Sequence, residues 1–208
     1  FPKLFRASPL GCVGIFLLGG VYAAQFGMAA VWGGEAGLSV SQISTFVAAL
    51  YVGGLIFQYP IGFASDLIGR RPLILALAAA GAVVTLVPSL WQLPFPVLVG
   101  VAVLLGGITN PLYSLLLAYT NDFLDNSDMA AASAGLIFLN GLGAIGGPIV
   151  TGWLMARIGP GGFFLIMAVL FVLLAGYAGW RMTRRRVVAV PHAGGIAVMS
   201  PGASAIAV

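Results

Sequence analysis

The sequence predicts an all-α integral membrane protein, a bundle of six transmembrane helices. Composition, the number of long apolar stretches and the placement of basic residues each favour this fold class. Of the 208 residues, 61% are hydrophobic and 7% are charged, and the mean hydropathy is +1.09. A soluble domain usually carries about 25% charged residues, so too little charge is left here to cover a globular surface. We therefore expect lipid to solvate much of the chain.

Six apolar stretches are each long enough to cross a bilayer, which takes about 20 mostly apolar residues. We place spans 1 to 6 at about residues 10–32, 41–64, 72–87, 94–120, 129–156 and 162–181. Ser39 or Ser41 is the expected N-cap of span 2, and Pro88 marks the expected end of span 3. Because short connections make neighbouring spans pack antiparallel, these spans predict one compact domain over residues 1–186. We expect residues 187–208, rich in Ala, Gly, Val and Pro, to form a disordered cytoplasmic tail.

The basic residues lie almost entirely on one side of the predicted bundle. Six spans put both chain ends on the same side, and eight of the nine basic residues fall there: Lys3, Arg6, Arg70, Arg71, Arg181, Arg184, Arg185 and Arg186. Only Arg157 falls on the other side. This bias predicts a multi-pass protein of the cell (plasma or inner) membrane with both ends of this chain in the cytoplasm. The last three arginines are interpreted as an anchor at anionic lipid and not as a nucleic-acid patch.

The sequence offers few groups for catalysis or metal binding. It contains one cysteine, Cys12, and one histidine, His192, and apart from Arg181 at the very end of span 6 no predicted span contains Asp, Glu, Lys, Arg or His. A single cysteine forms neither an intrachain disulfide nor a thiolate metal site. An intramembrane protease would need a Ser with a His, or two Asp, inside the membrane, so we expect no enzyme, no metal and no cofactor. A six-span water or glycerol channel would need two Asn-Pro-Ala half-helices, and only Asn110-Pro111-Leu112 resembles one.

The connection between spans 2 and 3 carries a spaced motif, GFASDLIGRR, from residue 62 to residue 71. It resembles the signature loop of the major facilitator superfamily, G-x-x-x-D-(R/K)-x-G-(R/K)-(R/K). Five of the six defined positions match, namely Gly62, Asp66, Gly69, Arg70 and Arg71, whereas Leu67 stands where the family favours a basic residue. The alternative is a generic positive-inside hairpin with Gly for the turn and Arg for orientation.

Each residue type in this motif has a physical use. Gly62 ends a helix where a neighbouring helix can approach closely, and Gly69 permits a sharp turn. Asp66 is an anion suited to the N-terminus of an adjacent helix. Arg70 and Arg71 are suited to pairing with Asp66 or with lipid phosphates. We expect the motif to act as a cytoplasmic latch against the other half of the protein.

Span 5 carries a second resemblance, in the run GAIGGPIVTG from residue 143 to residue 152. It is similar to the G-x3-G-P-x2-G-G element of the same superfamily, with Thr151 in place of one Gly. That element is typical of antiporters when it lies in the first half of the fold. In a second half it is only the pseudo-symmetric counterpart of that element and does not indicate antiport. The alternative is a kinked, closely packed helix in which Gly143, Gly147 and Pro148 serve packing alone.

The resemblance covers about residues 8–186 and implies one six-helix half of the superfamily fold. Span 4 lacks an Arg in its first half, and the run from Pro111 to Asp122 is similar to a bacterial branch of largely uncharacterised members. These features, with the basic C-terminal end, favour the C-terminal half. The chain begins with Phe1 and not with Met, so we expect a fragment of a longer protein whose N-terminal six-helix half is its partner.

The polar groups expected near the middle of the membrane are all uncharged. Such groups need hydrogen-bond partners, so they face the bundle interior or a wet cavity. Transporter sites lie near the midplane, and the resemblance makes spans 1, 2, 4 and 5 the cavity-lining set. The substrate-cavity candidates are Tyr22, Gln25, Tyr51, Gln58, Asn110, Tyr113 and Asn140. The alternative, hydrogen bonding between helices without ligand contact, stays open for each residue.

Two of these candidates, Tyr22 and Gln25, are three residues apart, which predicts one common helical face. The resemblance implies a secondary active transporter that moves a small solute by alternating access between two six-helix halves. A wall without charged groups suits a neutral, amphipathic or apolar solute. The alternative function is a non-transporting membrane scaffold or sensor on the same fold. The expected partners are the lipid bilayer, the missing half and a small-molecule substrate, and not a nucleic acid.

Overall fold

The computed structural model describes residues 2–124 and 128–184, and every regular element in these ranges is helical. The elements are α1 (Pro2–Ala7), α2 (Pro9–Tyr22), a π-helical segment (Ala23–Gly27), α3 (Ala29–Glu35), α4 (Val40–Ile68), α5 (Arg70–Leu90), α6 (Phe95–Asn121), α7 (Met129–Ile158) and α8 (Gly161–Arg184). Six segments of the described chain are long and apolar enough to cross a membrane, namely Pro9–Gly27 and helices α4 to α8. The predicted all-α fold with six spans is confirmed. The expected tail, with Arg185 and Arg186, lies outside the described residues.

The first span is not the single helix that its apolar length predicts. It consists of α2 and the π-helical segment. Helix α3 follows it and a short helix, α1, precedes it, so the predicted stretch 10–32 is divided among three elements. Ser8 caps α2, because its Oγ accepts a hydrogen bond from the backbone N–H of Gly11 at 3.3 Å. A π-helical turn is wider than an α-helical turn because its hydrogen bonds skip one more residue. Side chains after Tyr22 therefore turn away from the faces that a continuous α-helix would give them.

Two other helix ends differ from the sequence expectation. Helix α5 runs through Pro88 to Leu90, although Pro88 was expected to end it. A proline removes only its own N–H donor, and the next donors continue the pattern, since the N–H of Trp91 bonds the Val87 carbonyl at 3.1 Å. Helix α4 extends to Ile68, so most of the motif is helical and only Gly69 makes the turn.

The N-cap of α4 is Ser39. Its Oγ accepts from the Gln42 N–H at 3.3 Å, while the Gln42 Oε1 accepts from the Ser39 N–H at 2.9 Å. This reciprocal pair is a capping box, which satisfies two of the free donors at a helix start. Asp128 stands at the N-cap of α7 without a side-chain capping bond.

Helices α4 and α6 cross at two glycines. A β-carbon added to Gly53 would lie against the carbonyl of Val103, and one added to Gly106 would lie against the carbonyl of Leu50. Each glycine thus faces the carbonyl three residues before the other glycine. Small residues of this kind let two membrane helices bring their backbones into contact, and the close approach favours Cα–H···O contacts.

The same arrangement recurs between α2 and α7. A β-carbon on Gly19 would lie against the carbonyl of Asn140, and one on Gly143 against the carbonyl of Phe16. Again each glycine faces the carbonyl three residues before its partner glycine. The remaining pair, α5 and α8, packs Gly81 against the Phe171 ring. The crossing of α4 with α6 and the crossing of α2 with α7 therefore share one packing arrangement.

Helices α4 and α7 have the most exposed apolar surface. In the most apolar 18 residues of each span, 28% are buried for α4 and 17% for α7, against 61% for the first span. Large apolar side chains such as Leu55 and Phe63 on α4, and Ile145 and Ile149 on α7, are more than half exposed. These two helices therefore carry surface that lipid or further protein must cover.

Candidate functional site

Four aromatic side chains from three segments form a continuous cluster near the middle of the bundle. The Tyr22 ring stacks on Phe26 with centroids 6.0 Å apart, and Phe26 meets Tyr51 of α4 at 5.0 Å. Tyr113 of α6 meets Tyr22 edge to face at 6.0 Å. We call Tyr22, Phe26, Tyr51 and Tyr113 the aromatic wall. Tyr51 is 58% exposed and Tyr22, Phe26 and Tyr113 are half-buried, so the wall opens to the outside of the bundle.

A polar anchor fixes the aromatic wall to α6. The Tyr22 hydroxyl lies 3.2 Å from both the Thr109 carbonyl and the Asn110 Oδ1, and it donates to either acceptor. The Asn110 Nδ2 donates to the Gly106 carbonyl of its own helix at 3.2 Å. Pro111 follows directly inside α6 and supplies no N–H. Asn110 therefore holds Tyr22 in place next to a weakened turn of α6.

A second polar contact extends this surface along α4 and α6. The Gln58 Nε2 donates to the Ser114 Oγ at 3.1 Å, and the Ser114 Oγ donates to the Asn110 carbonyl at 3.3 Å. Tyr51 and Gln58 are both exposed. Below Gln58 a cavity of about 240 Å³ continues towards the motif, between Ser65, Asp66 and Ser114. Gln58 and Ser114 therefore line a pocket that reaches Ser65 and Asp66 near the end of α4.

Gln25 does not join the aromatic wall in this structure. Its side chain is fully buried, and neither Oε1 nor Nε2 has a hydrogen-bond partner among the described residues. Tyr22, by contrast, is half-buried and hydrogen-bonded. The two side chains do not share an open face, contrary to the expectation from their spacing, because the π-helical segment lies between Tyr22 and Met28.

Asn140 lies at the crossing of α2 and α7 and not at the aromatic wall. Its Nδ2 donates to the Ile15 carbonyl at 3.3 Å, and the side chain is half-buried. Nearby, a β-carbon on Gly147 would come within 2.8 Å of the Ala23 Cβ, and one on Gly27 would be 4.0 Å from the Pro148 Cγ. The π-helical segment is thus seated against Gly147 and Pro148 of α7.

The motif residues make contacts different from those expected. Arg70 forms an ion pair with Asp122 and donates to the Ala118 carbonyl at 3.1 Å. Of the two partners suggested from the sequence, Asp66 or lipid phosphates, Asp66 does not pair with Arg70 in this structure. Gly69 has φ of 83°, a left-handed conformation that glycine adopts without strain, and its turn brings the start of α5 to the end of α6. Cations there are attracted by the negative end of the α6 dipole.

The other motif residues divide between contact and exposure. The Arg71 Nε donates to the Tyr119 hydroxyl at 2.9 Å, and its guanidinium lies over that ring at 5.3 Å. Asp66 is exposed and has no ion pair or hydrogen bond within the described chain. A β-carbon on Gly62 would meet nothing within 4 Å. The arginines therefore hold the end of α6, while Gly62 and Asp66 present a free surface.

Three residues of these sites were not identified from the sequence. Phe26 completes the aromatic wall, and a signal for it exists in its spacing of four residues from Tyr22. Asp122 and Tyr119 receive the two arginines, and both stand at the end of α6, where helix carbonyls and a carboxylate favour cations. Their partners come from 48 or more residues away in the sequence, and local spacing cannot indicate a contact across that separation.

A family model of the Major Facilitator Superfamily matches residues 11–205. This chain belongs to the Major Facilitator Superfamily. The predicted resemblance is confirmed, and the six described spans correspond in size to one half of the superfamily fold. As a member with six apolar spans, the chain is a multi-pass membrane protein.

Curated relatives within the superfamily are bacterial. An "Uncharacterized MFS-type transporter YfkF" of Bacillus subtilis (strain 168) is 27% identical over 174 residues, which cover 81% of this chain and 44% of the relative. An "Uncharacterized MFS-type transporter YcaD" of Escherichia fergusonii is 25% identical over 170 residues, with the same shares covered. The chain therefore spans less than half the length of the curated relatives it matches.

Proposed function

We propose that this chain is the C-terminal six-helix half of a secondary active transporter that moves a small solute by alternating access. The observation that carries the proposal is the aromatic wall with its Tyr22–Asn110 anchor, at mid-length of the spans. Transporter sites form near the midplane, at the interface between repeats. The superfamily relatives named as transporters support the same function.

The proposed partner is a second six-helix half that covers α4 and α7. These helices have the least buried apolar surface of the six spans, and Tyr51 and Gln58 lie on α4 at the edge of that surface. A partner half placed against α4 and α7 would close the aromatic wall into a cavity. We propose that both ends of the chain face the cytoplasm, since most of its basic residues stand at that side.

The proposed substrate is a neutral, amphipathic or apolar solute. In the described ranges, charged side chains stand only in short helix α1, in the terminal turns of the spans or in the connections. The aromatic wall therefore offers apolar area and neutral hydrogen-bonding groups, such as Asn110 and Gln58. Amide and hydroxyl groups of this kind do not titrate near neutral pH. If transport is driven by protons, the titrating group belongs to the other half.

The motif is proposed to act as a cytoplasmic latch with two parts. Arg70 and Arg71 tie the start of α5 to the end of α6 within this half. Asp66 is left exposed and suits the N-terminus of a helix in the other half, where an anion is stabilised by the helix dipole. The latch would favour the conformation in which the two halves meet at the cytoplasmic side.

Transport by the full-length protein in liposomes tests this proposal. Counterflow would be measured for a panel of radiolabelled solutes comprising neutral aromatic alcohols, sugars, amino acids and quaternary amines. We expect saturable flux for a neutral amphipathic member, and loss of that flux in the folded Asn110→Leu variant. If the folded protein binds a solute saturably but moves none, the scaffold or sensor function is the better account.

A further inference from the structure

Gln25 is the most unusual polar residue in the described chain. Its side chain has no exposed surface, and both ends of its amide lack a hydrogen-bond partner among the described residues. The other fully buried polar side chains in spans, including Thr85, Thr109 and Thr151, each donate to a carbonyl of their own helix. Gln25 alone among these carries a donor group and an acceptor group that are both unused.

An unpartnered buried amide destabilises the conformation that contains it. Leaving a buried donor or acceptor unsatisfied costs the full desolvation penalty of that group, and lipid offers no water to compensate. Any conformation that gives Gln25 a partner is favoured by that amount. The position of Gln25 therefore favours a second arrangement of this part of the chain.

The backbone around Gln25 is also in an uncommon state. Ala23 to Gly27 form a π-helical segment between α2 and α3. Such segments are rare and occur frequently at functional sites. Converting the segment to an α-helix would tighten the turn and rotate Gln25 relative to Tyr22. In a regular α-helix, residues three apart share a face, so Gln25 would turn towards the side on which Tyr22 meets Asn110.

Packing, and not side-chain hydrogen bonding, holds the segment against its described neighbours. On the α7 side it is faced by Gly147 and by the Pro148 ring, which has no hydrogen bond to break. On the wall side, Phe26 is held by ring contacts to Tyr22 and Tyr51 and not by hydrogen bonds. The hydrogen bond from Asn140 to the Ile15 carbonyl holds α2 below the segment. Rewinding the segment would therefore break no side-chain hydrogen bond among the described residues.

We infer that Gln25 is a conformation-dependent substrate contact, buried in this conformation and carried to the aromatic wall when the π-helical segment rewinds. There its amide would bind a hydrogen-bonding group of the solute beside Tyr22 and Asn110. The inference rests on the proposed transport function. It couples solute binding to the shape of the first span, because the solute supplies the partner that the buried position lacks.

The first test compares stability and transport in the full-length protein. Gln25→Leu removes the unpartnered amide, so its thermal midpoint in detergent should rise by about 2 °C or more while solute flux falls by about tenfold. Leu18→Met, at another fully buried position of α2, is the matched control and should change neither quantity. A lower midpoint for Gln25→Leu would show that the amide is already satisfied, for example by buried water, and would overturn the inference.

The second test measures access to position 25 without any substrate. Gln25→Cys and Leu18→Cys would be made in a cysteine-free full-length protein and treated with the hydrophilic reagent methanethiosulfonate ethyltrimethylammonium. Both positions are fully buried here, but only position 25 should visit a wet cavity. We expect Gln25→Cys to react at least about tenfold faster, and equal rates would overturn the inference. Because neither the midpoint nor the labelling needs transport, a protein that moves no solute would refute the proposed function while leaving these results to decide the role of Gln25.

Discussion

The Tyr22 hydroxyl lies 3.2 Å from the Asn110 Oδ1, so the first span is hydrogen-bonded to α6 near the middle of the bundle. The bond is only partly buried, and it stands beside Pro111 on one helix and the π-helical segment on the other. Two helices with locally weakened backbones are thus joined by one neutral hydrogen bond. Under the proposed transport function, a solute that competes for Asn110 would loosen that joint and so alter the packing of the two helices.

Tyr22→Phe removes the hydroxyl and keeps the ring contacts with Phe26 and Tyr113. We expect it to lower stability by about 0.5–1.5 kcal/mol, the net value of one hydrogen bond, and to weaken solute binding. The measurements are thermal unfolding in detergent and flux in liposomes. Tyr59→Phe is the matched control, since Tyr59 is 81% exposed and makes no side-chain hydrogen bond in the described chain. Equal effects of both changes would contradict a role for the Tyr22 hydroxyl.

Asp66→Asn and Asp122→Asn separate the two parts of the proposed latch. Asp122→Asn removes the ion pair with Arg70 and should lower stability slightly, by less than about 1 kcal/mol, because the pair is partly exposed. Asp66→Asn removes no contact within this half, so expression and thermal midpoint should be unchanged. Transport should fall, because the change removes the charge proposed to contact a helix of the other half. Unchanged flux in Asp66→Asn would leave the motif as a topology signal only.

Gly106→Ala should strongly destabilise the bundle. The added methyl group would lie against the Leu50 carbonyl of α4, and backbone cannot move aside as a side chain can. Overpacking typically costs about 1–3 kcal/mol. Gly100→Ala on the same helix is the control, since nothing lies within 4 Å of its β-carbon position and Ala favours helix by up to about 1 kcal/mol. Folded protein after mild heating, measured by size-exclusion chromatography, should fall for Gly106→Ala alone.

The fold could be predicted from the sequence because it depends on the length and polarity of apolar stretches. A helix that crosses the lipid needs about 20 mostly apolar residues, and stretches of that length can be recognised directly in the sequence. Interactions between residues close in sequence could also be predicted in part. Ser39 was one of the two expected N-caps of span 2, and it forms a capping box with Gln42. The turn at Gly69 could be predicted for the same reason, because glycine adopts a left-handed backbone conformation without strain.

The contacts of the site depend on information that local spacing does not contain. Gln25 was placed beside Tyr22 on the assumption of a continuous α-helix, and the π-helical segment that begins after Tyr22 and contains Gln25 has no apolar signature. Asp66 or lipid phosphates were the partners suggested for Arg70, whereas the turn at Gly69 directs it to Asp122 at the end of α6. Both differences arise from how the chain is wound and packed, and not from which residues are present.

The central claim is that the aromatic wall faces an aqueous solute cavity and not lipid, and thiol access at position 51 tests it most directly. Tyr51→Cys on α4 and Val172→Cys on α8 would be compared in the cysteine-free full-length protein in vesicles, with methanethiosulfonate ethyltrimethylammonium on either side. The two native side chains are 58% and 57% exposed in this half, and both lie near mid-length of their helices. The account predicts rapid modification of Tyr51→Cys and none of Val172→Cys, because a charged reagent does not enter lipid. Tyr51→Cys as unreactive as Val172→Cys would contradict it.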